Sequence, residues 1–204
     1  MDTGQVNHQP PHTARSVAWR FSSRIVSSVG LGLTLLLLAR ISPVHSYGEF
    51  IAAGAVTTVA GIVFGFGAPA RVLRVAAEHS PPMQHLSGRK PLSLVRALYL
   101  MHLGSNLALV TVLLSGAALL RLPATVAAGI VWGAGDTLQN YAQNHFAGIG
   151  SHRFSSWLVA TQRIVPCAAV VAYLVMGRPA NYSLIALAFA IPLVIAAVTP
   201  VSYT

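Results

Sequence analysis

Charge is what this sequence has least of. Its 204 residues include thirteen Lys and Arg and four Asp and Glu, so charged side chains make up 8% of the chain. A water-soluble domain usually carries about 25%. Seventeen charges leave a soluble surface of this size largely bare, unless most of it faces lipid. There is one cysteine, Cys167, inside an apolar run. It can form no internal disulfide and no thiolate metal cluster, and it says nothing about the redox compartment. Asp136 has no acidic neighbour, whereas intramembrane prenyl- and phospho-transferases need paired carboxylates to hold Mg²⁺. An intramembrane serine protease needs a nucleophile and a base on facing helices. Ser105 is available, but no histidine follows His152, so the last apolar stretches offer no base. Zinc needs three or four clustered ligands, and the eight histidines fall mainly in polar segments. The chain is therefore read as a non-enzyme, with no catalytic residue, no metal site and no cofactor.

What is abundant is apolar. The chain is 54% hydrophobic with a mean hydropathy of +0.65. A spanning helix needs about 20 mostly apolar residues, because the hydrocarbon core is about 30 Å thick. Six windows qualify: Arg24–Ile41, Phe50–Ala70, Leu94–Leu119, Leu122–Tyr141, Trp157–Met176 and Tyr182–Val201. Breakers separate them at Ser42-Pro43, Tyr47-Gly48, Ser80-Pro81-Pro82, Ser87-Gly88, Pro123, Gly148 to Ser151 and Gly177 to Pro179. The first window follows Arg15, Arg20 and Arg24 as in a secretory signal, but no clear small-x-small cleavage site precedes Pro43, so it is expected to remain as a helix. The expected architecture is all-α: a disordered cytoplasmic tail over residues 1–14 and a transmembrane bundle of about six helices over residues 15–204.

The net charge of +9 raises the question of nucleic acid. The cations stand singly between apolar runs rather than in a phosphate-binding stripe, which argues against it. They read instead as topology and contact with anionic membrane lipid. Arg15, Arg20, Arg24, Arg71, Arg74, Arg89, Lys90, Arg96 and Arg153 fall on one side, against Arg40, Arg121 and Arg178 on the other. Nine against three puts the N-terminus in the cytoplasm, and an even number of spans brings the C-terminus there too.

Small residues recur on single helix faces: Gly54, Thr58, Gly61, Gly65 and Ala68; Gly129, Gly133, Asp136 and Asn140; Ser23, Ser27, Gly30 and Thr34. Close helix packing explains them, and so do faces that slide or line a cavity. Asp136 lies about nine residues before His145, and Arg163 about nine after Phe154. Antiparallel helices joined by a short loop bring both to a similar depth, where an isolated charge costs at least about 2.5 kcal/mol. They are expected to face the interior and pair. Two readings remain open: a structural ion pair, or an Arg163 that lines a pathway and meets an anionic substrate. His102 and Asn106, one turn apart, make a weaker polar patch with Tyr99.

Three stretches resemble a known family. They are Arg24-Ile25-Val26-Ser27-Ser28 leading to Leu35-Leu36-Leu37-Leu38-Ala39-Arg40-Ile41 and Tyr47-Gly48-Glu49-Phe50; Gly65-Phe66-Gly67 before Arg71 and Arg74; and Gln139-Asn140 leading into Gly148-Ile149-Gly150-Ser151-His152-Arg153-Phe154. In order and spacing they look like the polysaccharide (O-antigen-type) flippases of the multidrug/oligosaccharidyl-lipid/polysaccharide exporter superfamily. The likeness spans about residues 15 to 200. It implies one of the family's two six-helix lobes, the N-terminal one. It also implies translocation of a lipid-linked glycan precursor by alternating access, as a half-transporter completed by a homodimer partner or a second six-helix chain. Basic residues facing the cavity are expected to meet the pyrophosphate and sugar acids, which singles out Arg40 and Arg163. With them stand Asp136, Asn140, Asn106 and His102 as substrate-pathway residues. The alternatives are a non-transporting membrane scaffold or truncated remnant, and a multidrug-type exporter.

Overall fold

The computed structural model describes residues 13–65, 67–78, 92–148 and 151–202. Their regular elements are all helical: α1 (Thr13–Ile41), α2 (Val44–Phe64), α3 (Ala68–Glu78), α4 (Leu92–Leu119), α5 (Ala124–Gly148), α6 (His152–Val175) and α7 (Tyr182–Ser202). The breaks expected at Ser80-Pro81-Pro82 and Ser87-Gly88 lie outside the described residues. So do Arg89, Lys90 and most of the polar tail. Three stretches are long and apolar enough to cross a membrane, Val44–Phe64, Ala97–Leu119 and Arg153–Val175, with shorter apolar helices at Ile25–Ile41 and Tyr182–Ile191. Outward-facing Val56, Val59, Ile62 and Val63 on α2, and Trp157 and Ile164 on α6, make an exterior suited to lipid rather than water.

The helix ends follow local chemistry. Pro43, at φ −57°, stands at the N-cap of α2. The helix therefore starts at Val44, and Tyr47-Gly48 falls inside its opening turns instead of forming a loop. Gly67, at φ 70°, redirects the chain after α2, and its carbonyl accepts the Ala70 and Arg71 amides that open α3. Arg121 and Gly177 both take the left-handed conformation after a helix, at φ 54° and 61°. There the next amide reaches five residues back, Leu122 to Ala117 and Arg178 to Tyr173. Asn181 caps α7, its Oδ1 accepting the Ser183 and Leu184 amides.

α5 is the axis of the bundle. It packs against α2, α3, α4, α6 and α7, while α1 lies along α6. Neighbours rather than lipid accordingly cover most of α5, Thr137, Gln139 and His145 included. Its seam with α2 is built from the small residues. A Cβ on Gly129 would collide with the Phe50 carbonyl and Ala53, one on Gly133 with the Gly54 carbonyl and Thr57, and one on Gly61 with Thr137. The two backbones meet where side chains are missing, which is the packing reading of these faces. At one end the core joins Leu38, Phe50, Ala128, Val170, Tyr182, Ile185 and Phe189, with Trp132 stacked on Phe50 at 5.2 Å. At the other end Val72 of α3 closes over Tyr99 and Tyr141. Beside them Ala142, Phe146 and Leu158 join α5 to α6.

Candidate functional site

The α5–α6 hairpin sets the register of Asp136 and Arg163. Gln139 Nε2 donates to the Leu158 carbonyl at 2.9 Å, and Ser155 Oγ to the Gln143 carbonyl at 3.1 Å. Between antiparallel helices clamped in this way, Asp136 and Arg163 arrive at one level. Arg163 Nη2 donates to Asp136 Oδ1 at 2.8 Å, and the pair expected from matched depth is formed. A third member comes from α1: Arg163 Nε donates to Ser27 Oγ at 3.1 Å. Gly30 makes the approach possible, since a Cβ there would press on the Arg163 stem at 2.9 Å. Arg163 is buried, whereas the Asp136 side chain keeps 35% of its surface. A charge-assisted bond of this length in a low-dielectric interior is strong, and losing either partner leaves the other charge uncompensated.

From Asp136 a polar strip continues down the open side of α5. Asn140, one turn on, is exposed, and its Oδ1 and carbonyl both accept from Asn144 Nδ2, at 3.0 and 2.8 Å. Carboxylate and two amides share a flank of α5 that the described helices leave open, with the buried guanidinium behind Asp136.

The second patch is separate and enclosed. Asn106 Nδ2 donates to the His102 carbonyl at 2.9 Å and lies 3.2 Å from the His102 ring Nε2. The His102 ring stacks on Tyr141 at 4.4 Å and 16°, and Tyr99 tilts against the Tyr141 ring at 5.6 Å. Gly65 is backed against His102. Asn106 Oδ1, the Tyr141 hydroxyl and both His145 ring nitrogens are buried with no hydrogen-bond partner among the described residues. Such groups are costly to leave bare and suit internal water. The structure therefore brings Asp136, Arg163 and Asn140 together, holds His102 and Asn106 in their own cluster, and leaves Arg40 apart. Arg40 is exposed at the end of α1, about 15 Å along the axis from Gly30.

Ser27, Gly30, Tyr141 and His145 take part without having been singled out as site residues by the sequence. For Ser27 and Gly30 the small-residue face of α1 is the signal, and its target is what the sequence leaves open. A further polar contact closes the opposite end, where Thr125 Oγ1 donates to Glu49 Oε2 at 2.6 Å and Tyr182 donates to Ser42 at 2.8 Å. Among the described residues no group of three His, Cys, Asp or Glu converges as a metal site would require. Compared with family models, curated proteins and solved structures, the chain matches none.

Proposed function

We propose that this chain is one six-span half of a transporter in the cytoplasmic membrane, moving a lipid-linked anionic glycan precursor along the open flank of α5. Both termini lie in the cytoplasm on this reading, which rests on the nine-to-three distribution of cations. The observation that carries the transport reading is the strip of Asp136, Asn140 and Asn144 with Arg163 beside it. Polar groups on an otherwise apolar exterior need a partner, because hydrocarbon offers none. A second six-helix bundle, from another copy or another chain, supplies the missing wall, and rocking of two bundles around a midplane site is how such carriers work. The resemblance of the first hairpin and of the α5–α6 connection to polysaccharide flippases selects the glycan-lipid class.

The test is translocation of a fluorescent polyprenyl-pyrophosphate glycan in proteoliposomes, read by loss of protection from an impermeant quencher. Arg163→Ala and Asn140→Leu should each slow it at least tenfold while the protein remains folded. Absence of transport by the wild-type chain, with or without a co-purified partner, overturns the reading. A scaffold role is favoured by one observation: Arg163 is buried, with Ser27 and Asp136 already engaging its Nε and Nη2. On that reading Arg163 serves only the structural pair, and no transport is measured for the wild type or any variant.

A further inference from the structure

A second surface lies away from the α5 strip. Where α1 runs beside the start of α6, an open groove of about 620 Å³ separates them, within the range of about 300–1,000 Å³ that small-molecule sites occupy. The helices run parallel here, since Ser22 and Arg153 both line the groove while Ser27 and Gly30, further along α1, pack on Arg163, further along α6. The lining therefore changes with depth. The mouth has Ser22, Ser151 and the exposed Arg153; below it lie Val26, Trp157 and Ala160. Phe154 stacks on Trp157 at 5.7 Å, and Trp157 is half-exposed, the setting of an interfacial aromatic anchor. Among the described residues no acidic side chain lines the groove. The N-terminus of α6 opens beside the mouth, so the positive end of its helix dipole faces the groove.

We propose that this groove holds one anionic phospholipid, its phosphate on Arg153 at the positive end of α6, and one acyl chain along Val26, Trp157 and Ala160. Arg153 and the helix end select the headgroup charge, while the apolar floor requires a chain attached to it. The mouth-to-Ala160 depth of about 10 Å on α6 reaches from the headgroup level into the acyl region. The proposal requires only that α6 lie in a membrane, and it stands whether or not the chain transports anything.

The experiment uses the full chain carrying Trp19→Phe and Trp132→Phe, so that Trp157 alone fluoresces, in vesicles of phosphatidylcholine containing brominated lipid. Brominated phosphatidylglycerol should quench Trp157 at a lower mole fraction than brominated phosphatidylcholine, by roughly fivefold, the weight of one basic side chain at an anionic surface. Arg153→Gln should abolish the preference and Arg153→Lys should keep it, with inorganic phosphate having no effect. Equal quenching by the two lipids, or a preference that survives Arg153→Gln, shows an ordinary lipid-facing surface and overturns the proposal. Displacement by inorganic phosphate also overturns it, in favour of a phosphate site that ignores the chain. Native mass measurement on the unmodified chain guards against a tryptophan-depleted variant that fails to fold. Wild type should retain one more phosphatidylglycerol than Arg153→Gln, and identical lipid retention counts against the groove.

Discussion

A guanidinium that gives Nε to a serine and Nη2 to a carboxylate is held from two helices at once, and removing Asp136 strands it inside the bundle. Asp136→Ala and Arg163→Ala should each destabilise the extracted protein more than the double variant does. The coupling energy should be about 1–3 kcal/mol, as for contacting charged partners. Thermal denaturation in detergent across the four proteins measures it, and simple additivity would show that the two side chains act independently. The pair was legible in the sequence because helix depth follows from residue counting. Its third member was not, since counting fixes the level on a helix and leaves open which neighbour faces it. The same limit separates Arg40 from the pair and gives His102 its own enclosure with Tyr141. At Arg121 a side chain sits in left-handed backbone where Gly177 stands in the equivalent turn. Arg121→Gly should therefore stabilise by up to about 1 kcal/mol, and Gly177→Ala should destabilise by a similar amount. Their Tm shifts should have opposite signs.

Between helices, the seam of α2 with α5 is where sequence pattern and packing agree most directly. A three-and-four spacing of small residues is readable as a face, and two such faces close on each other here. Gly129→Val should force Phe50 and Ala53 away and destabilise by at least about 1–3 kcal/mol, the usual result of overpacking. Gly104, with open space around its missing side chain, gives the control. Gly104→Ala should be neutral or stabilising by up to about 1 kcal/mol, from helix propensity alone. Melting temperature and detergent-resistant folding of the two variants test the contrast. α3 escaped a search for spans because it is short and amphipathic. It exposes Arg71 and Arg74 while burying Val72 over Tyr99 and Tyr141. Its polar arginines made it read as connection, and a window of spanning length averages such a helix away.

For the whole molecule, the proposed orientation rests on the charge bias along the chain and not on its packing. Single cysteines in a Cys167→Ser background should leave position 87 shielded from an impermeant reagent in intact cells and position 45 labelled. The reverse pattern would invert the topology. The enclosure of α5 by five other helices has a consequence for how the protein is made. Asp136, Gln139 and Asn140 give this helix a poor passport into lipid, and the cation that neutralises it emerges from the ribosome 27 residues later, on α6. During synthesis α5 therefore has reason to linger at the insertion channel, or beside α2, until its counter-charge arrives. Chains stopped after residue 150 should leave α5 extractable by alkali, and chains stopped after residue 180 should not. Arg163→Ala in the longer chain should restore the early behaviour, making one side chain the signal that releases two helices into the bilayer together.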